Sequence, residues 1–166
     1  MSLVLTACGA IGLVLDQSGA SAGVTPGVKP DIVVGPGDTV PTDFNQPIIG
    51  SAEAKSNPDD CRNNPAIGLT CAAKRLKVNR AGAASNAQLK ITLEWTAQGD
   101  PSIAQVPDVD MFLFDSPTGK FDSTIVGGAG ATMPEQIKVT PTQDEYDIVV
   151  QGYAGAISGF KITVSY

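Results

Sequence analysis

From Leu89 to Trp95 the side chains alternate apolar and polar with a period of two, which puts Leu89, Ile91, Leu93 and Trp95 on one face. That pattern predicts a half-buried strand. A second run, Asp110 to Asp115, lies between two turn-forming stretches, 98–101 (Gln-Gly-Asp-Pro) and 116–119 (Ser-Pro-Thr-Gly). Shorter runs at 125–126, 136–139, 146–150 and 160–166 complete the set. Nothing between them has a helical period, so the pattern predicts an all-β chain, a small antiparallel β-sandwich, and excludes a βαβ arrangement. Its expected core is Leu93, Trp95, Phe112, Phe114, Ile148, Val150, Ile162 and Val164.

Upstream the pattern is different. From Asp16 to Gln46 the chain is dominated by Gly, Pro, Ser, Thr and Asp, with prolines at 26, 30, 36 and 41. Such a stretch buries little apolar surface on its own and reads as an extended tail or a partly stiff stalk. The exception is Ile32-Val33-Val34, which reads as an edge strand added to its own domain or to a second copy of the chain. The expected organisation is an export region over 1–22, a Pro/Gly-rich stalk over 23–58 and a sandwich domain over 59–166.

Residues 1–15 carry no charge and are shorter than the roughly 20 residues of a membrane-spanning helix, which suits an export signal. Leu5-Thr6-Ala7-Cys8 followed by Gly9 resembles the lipobox of bacterial lipoproteins, which implies Cys8 as the lipidated residue and a membrane anchor. Ala20-Ser21-Ala22 offers an A-x-A cleavage site instead, and with it a freely secreted protein. A third reading leaves Cys8 as a small apolar residue in a buried segment. Cys61 and Cys71 flank a turn-rich segment, and a local disulfide is the natural assignment in an exported chain. Two cysteines without histidine do not complete a zinc shell.

Composition narrows the chemistry. The chain has 166 residues, room for one core, with 18 Gly, 12 Pro, 5% aromatic and 17% charged residues. A net charge of -6 argues against nucleic acid as a partner. The lack of any histidine removes the usual general base and the commonest neutral metal ligand, so no enzyme is expected. Lys74, Arg75, Lys77 and Arg80 form a basic cluster that reads chiefly as a solvated face. Residues 125–131, with three glycines but no lysine, read as a hairpin connection and not a phosphate loop.

Asp108, Asp110 and Asp115 are the candidate calcium ligands, with Asp122 or Asp144 as further donors; strand alternation separates Asp115 from the other two, which favours turn capping. Trp95, Tyr153 and Tyr166 are candidates for stacking on sugar rings, although Trp95 falls on the apolar face.

Three stretches in order, 108–115 (Asp-Val-Asp-Met-Phe-Leu-Phe-Asp) with its following Ser-Pro-Thr-Gly, 145–153 (Glu-Tyr-Asp-Ile-Val-Val-Gln-Gly-Tyr) and 158–166, resemble the bacterial pre-peptidase C-terminal (PPC) domain family. The resemblance spans about Val78 to Tyr166. It implies a jelly-roll-like sandwich that binds, spaces or solubilises without chemistry of its own, with polysaccharide or protein as partner and calcium in some relatives. The expectation is thus a non-catalytic cell-envelope lipoprotein that binds an extracellular polymer or a partner protein; the alternative is a fibre or matrix subunit that self-associates through its N-terminal extension.

Overall fold

The computed structural model describes residues 30–50, 58, 62, 70–99, 106–115 and 133–166, and the backbone alone of 121–126. Ten strands run through them: β1 (Ile32–Val34), β2 (Thr39–Phe44), β3 (Ile48–Ile49), β4 (Cys71–Val78), β5 (Leu89–Ala97), β6 (Asp108–Asp115), β7 (Phe121–Val126), β8 (Glu135–Val139), β9 (Glu145–Ala154) and β10 (Ala156–Ser165). One sheet has the order β1-β4-β9-β6-β7, the other β2-β10-β5-β8, with β3 pairing β10 beyond β2. All pairings are antiparallel except β1 with β4. The fold is an all-β sandwich, as the alternating pattern requires.

Alternation places the core. β5 turns Leu89, Ile91 and Leu93 inward, β6 Val109, Met111 and Leu113, β9 Tyr146, Ile148 and Val150, and β10 Ile162 and Val164, all buried in one cluster between the sheets. Fully burying an aliphatic side chain of this size contributes about 1.5–3 kcal/mol, so this layer dominates the stability of the fold. Of the eight expected core residues, seven are buried and Phe112 is half-buried. The exception has a simple cause. Residues 109, 111 and 113 take the inner face of β6, so Phe112 and Phe114 fall on the outer face, where Phe114 joins Cys71 and Val149 in a second, small apolar cluster.

The expected stalk is corrected over residues 30–50, which are woven into both sheets. Ile32 and Val34 are buried, and β1 runs parallel to β4 in register Ile32 with Leu76 and Val34 with Val78. The chain then turns at Gly35–Asp38, where the Gly35 N–H donates to Asp38 Oδ2 at 2.8 Å and Gly37 has φ 84°, a conformation that favours glycine. It continues as β2 in the other sheet, paired with β10 from Thr39 opposite Ser165 to Phe44 opposite Phe160. Pro41 is tolerated because β2 is an edge strand. Ile32–Val34 is thus an edge strand of its own domain, not one donated to a neighbour. Composition suggested a tail because edge strands and tails share the same residues.

β3 crosses close over β9. A Cβ on Gly152 would stand 2.8 Å from Ile48 Cγ2 and 3.2 Å from the Gly50 Cα, so the crossing needs a residue without a side chain. Residues 1–22, with Cys8 and both cleavage sites, lie outside the described residues, as do Cys61 and the connection at 127–132. Among the described residues no helix is long and apolar enough to cross a membrane.

Candidate functional site

At one end of the sandwich three aromatic side chains stand in a row across adjacent strands. Phe44 of β2 is opposite Phe160 of β10, which in turn is opposite Trp95 of β5. The Phe44 and Phe160 rings are 5.2 Å apart at 30°, within the range where aromatic pairs attract. Phe160 and Trp95 are buried, whereas Phe44 is half-buried. Lys74 reaches across from β4 to put its Nζ 4.5 Å from the centre of the Phe44 ring, a cation–π contact that holds Phe44 from behind.

An open pocket of about 390 Å³ lies against this row. Its polar rim comes from the next register of the same three strands, Asp43, Lys161 and Glu94, with Asn45 and Ser158 beside them. Lys161 Nζ donates to Glu94 Oε2 at 2.7 Å, and that hydrogen bond, with the charges of Glu94 and Asp43, raises the Lys161 pKa above its ordinary value. The ion pair is exposed and contributes little to stability. Phe44, Phe160 and Trp95 turn toward the core, so what the pocket offers a ligand is chiefly carboxylate, amide, hydroxyl and ammonium groups, a set that suits a polar ligand with many hydroxyls.

Met133 forms the remaining wall of the pocket. The register that pairs Glu135 with Leu93 would bring residue 133 opposite Trp95, but Pro134 cannot donate to the ladder. The Trp95 N–H donates instead to Met133 Sδ, at 3.3 Å. Two residues on, Glu135 opens β8 with only 2% of its surface exposed, and its Oε2 is buried without a hydrogen-bond partner. Burial pushes the Glu135 carboxyl up to about 7, aided by the negative charges of Asp110 and Asp108 on β6. The half-buried Tyr153 hydroxyl is raised for the same reasons, burial first and then the charges of the same two aspartates.

Among the described residues the candidate calcium ligands do not come together. Asp108 and Asp110 share one side of β6, while Asp115 is five residues beyond Asp110, roughly 16 Å along an extended strand and on the other face. Asp144 is taken by Arg80, whose Nε donates to Asp144 Oδ1 at 2.7 Å and whose pKa rises with that bond. The Asp122 side chain lies outside the described residues, among which no group of three or more acidic or cysteine side chains is placed to hold a metal ion.

The basic cluster is also divided. Lys77 is exposed, but Arg75 is buried, with its Nε 3.4 Å from Asp147 Oδ1; Arg62 Nε lies 2.8 Å from Asp147 Oδ2. Arg62 also stacks over the Phe114 ring at 5.7 Å. This buried ion cluster on the outer face of the β1-to-β7 sheet is structural, and it covers Phe114. Cys71 is buried in the apolar cluster beside it; its expected partner Cys61 lies outside the described residues. Of the candidate stacking residues, Tyr166 packs on the core, the Tyr153 hydroxyl donates to Gln151 Oε1 at 3.3 Å, and Trp95 alone lines the pocket.

The pocket is invisible to sequence reasoning because its walls come from segments as far apart as Asp43 and Lys161. Comparison with family models, with curated proteins and with solved structures finds no match for this chain.

Proposed function

We propose that the chain is a non-catalytic, exported lipoprotein of the cell envelope, anchored through Cys8, whose sandwich binds an extracellular polysaccharide. The observation that carries the reading is the pocket of about 390 Å³ whose lining gathers Asp43, Asn45, Glu94, Ser158 and Lys161. Hydroxyl-rich ligands need paired donors and acceptors around their edge, and this pocket offers both kinds of group. The resemblance to PPC domains supports the same class of role, since the resembling stretches form β6, β9 and β10, and β10 lines the pocket. The missing histidine supports a binding role, as does the rim chemistry, in which Glu94 is bonded to Lys161 and therefore poorly placed as a general base.

Titration calorimetry of the whole protein against acidic and neutral polysaccharides tests the reading. The wild type is expected to bind at least one, and Lys161→Ala, at the exposed rim, to weaken that binding about tenfold, or ~1.4 kcal/mol, without unfolding the protein. Binding unaffected by Lys161→Ala would place the ligand elsewhere. Absence of binding together with concentration-dependent assembly in light scattering would favour the structural-subunit alternative.

A further inference from the structure

Glu135 is an anomaly for an edge strand. An ionisable side chain at the first residue of β8 would ordinarily point to water; this one is buried, and one of its oxygens has no partner. From β6, the strand it meets across the sandwich, Asp108 and Asp110 present like charge. On β5 its register partner is the apolar Leu93. No cation among the described charged groups is bonded to Glu135, so its ionised form is disfavoured by burial and by two neighbours together. The neutral acid fits the site and the carboxylate does not.

The segment that would respond is defined by the ladder. Glu135 is the last residue of β8 in register with β5, and beyond it Pro134 interrupts the pairing, so Met133 is held to Trp95 by the N–H to Sδ hydrogen bond. Displacing Glu135 therefore acts on Met133, and Met133 is a wall of the pocket.

We propose that Glu135 is a proton-operated latch: protonated, it seats the start of β8 against β6 and holds Met133 beside Trp95; ionised, it withdraws the 133–135 segment and opens the pocket. The inference rests on the reading of that pocket as the binding site, and it assigns that site a regulation, access that rises with pH through neutrality. The chain suits such a device because it has no histidine to titrate in the same range.

Trp95 is the sole tryptophan of the chain and so reports on the latch without any ligand. Its emission and its quenching by acrylamide are followed in the full-length protein from about pH 5 to about pH 9, in the wild type and in Glu135→Gln, which keeps the shape and removes the charge. In the wild type, quenching is expected to rise with a midpoint near pH 7; in Glu135→Gln it is expected to keep the low value throughout. A wild type with no transition, or a Glu135→Gln protein with the same transition, overturns the proposal. So does a transition abolished by millimolar calcium in the wild type, since a cation and not a proton would then be the occupant. Polysaccharide binding measured in parallel separates the two readings: a Trp95 transition without binding at any pH removes the ligand and leaves the latch, whereas binding without a transition removes the latch alone.

Discussion

Arg62 Nε lies 2.8 Å from Asp147 Oδ2, and the Asp147 side chain has no exposed surface at all. Arg75 meets the other oxygen of the same carboxylate at 3.4 Å, so one buried acid serves two buried guanidinium groups. Removing the acid takes from both guanidinium groups the buried counter-charge they share, although Arg75 also has Glu145 at 3.9 Å.

Asp147→Ala is therefore expected to destabilise the domain by about 3–5 kcal/mol, the range for breaking a buried ion pair from one side. Arg62→Ala should cost less, since Arg75 still neutralises Asp147, although it uncovers Phe114. Urea denaturation of both variants checks the order, and a larger loss for Arg62→Ala would contradict it.

Glu135 gives a pH dependence of stability with a definite sign. Its folded pKa of about 7 stands above the ordinary 4.5, so between those values the folded state holds a proton that the unfolded state has lost. Its contribution to stability is complete below pH 4.5, falls as pH rises from there, and is lost above about pH 7. Glu135→Gln should remove this slope and leave the variant more stable than the wild type at pH 8, by on the order of 2 kcal/mol. Urea midpoints at pH 5 and pH 8 check it, and equal slopes in the two proteins would contradict it.

Gly152 sits beneath β3 with no room for a side chain. Gly152→Ala is expected to cost about 1–3 kcal/mol by overpacking, because the methyl group meets Ile48 and the Gly50 backbone together. The thermal midpoint should fall, whereas Gly37→Ala, in open space, should lose only the smaller energy of a positive φ.

A Cys61–Cys71 bridge would add about 2–3 kcal/mol in the chain-entropy picture. Intact-mass spectrometry with and without reductant is expected to show a gain of two hydrogens, and the mature chain recovered from its native envelope is expected to begin at an acylated Cys8. A mass beginning at Gly23 without lipid would instead describe a freely secreted protein.

The strands were legible where one face is buried and the other is wet, as in Leu89 to Trp95, because burial on one side writes a period of two into the residues. β9 is buried on both faces, so Asp147 among Tyr146, Ile148, Val149 and Val150 is the readable sign of a buried charge in need of a partner. β1 and β2 were read as stalk because local composition says nothing of a partner strand, and theirs, β4 and β10, are distant along the chain. The pocket and Glu135 were hidden for the same reason. A single glutamate before an alternating strand gains its meaning only from β6, brought to it by the second sheet.

The pairing of β2 with β10 has a consequence in time as well as in space. Thr39 bonds to Ser165 across 126 positions, and β1 waits for β4 in the same way. Closing such distant pairs costs chain entropy before any contact offsets it, so the sandwich should form slowly and late. A chain whose early strands complete their sheet only against its last strand stays unfinished while it is being synthesised or threaded through a narrow passage. Under the export proposed above, that delay would be useful: the chain would remain thin enough to pass and lock only after β10 had emerged.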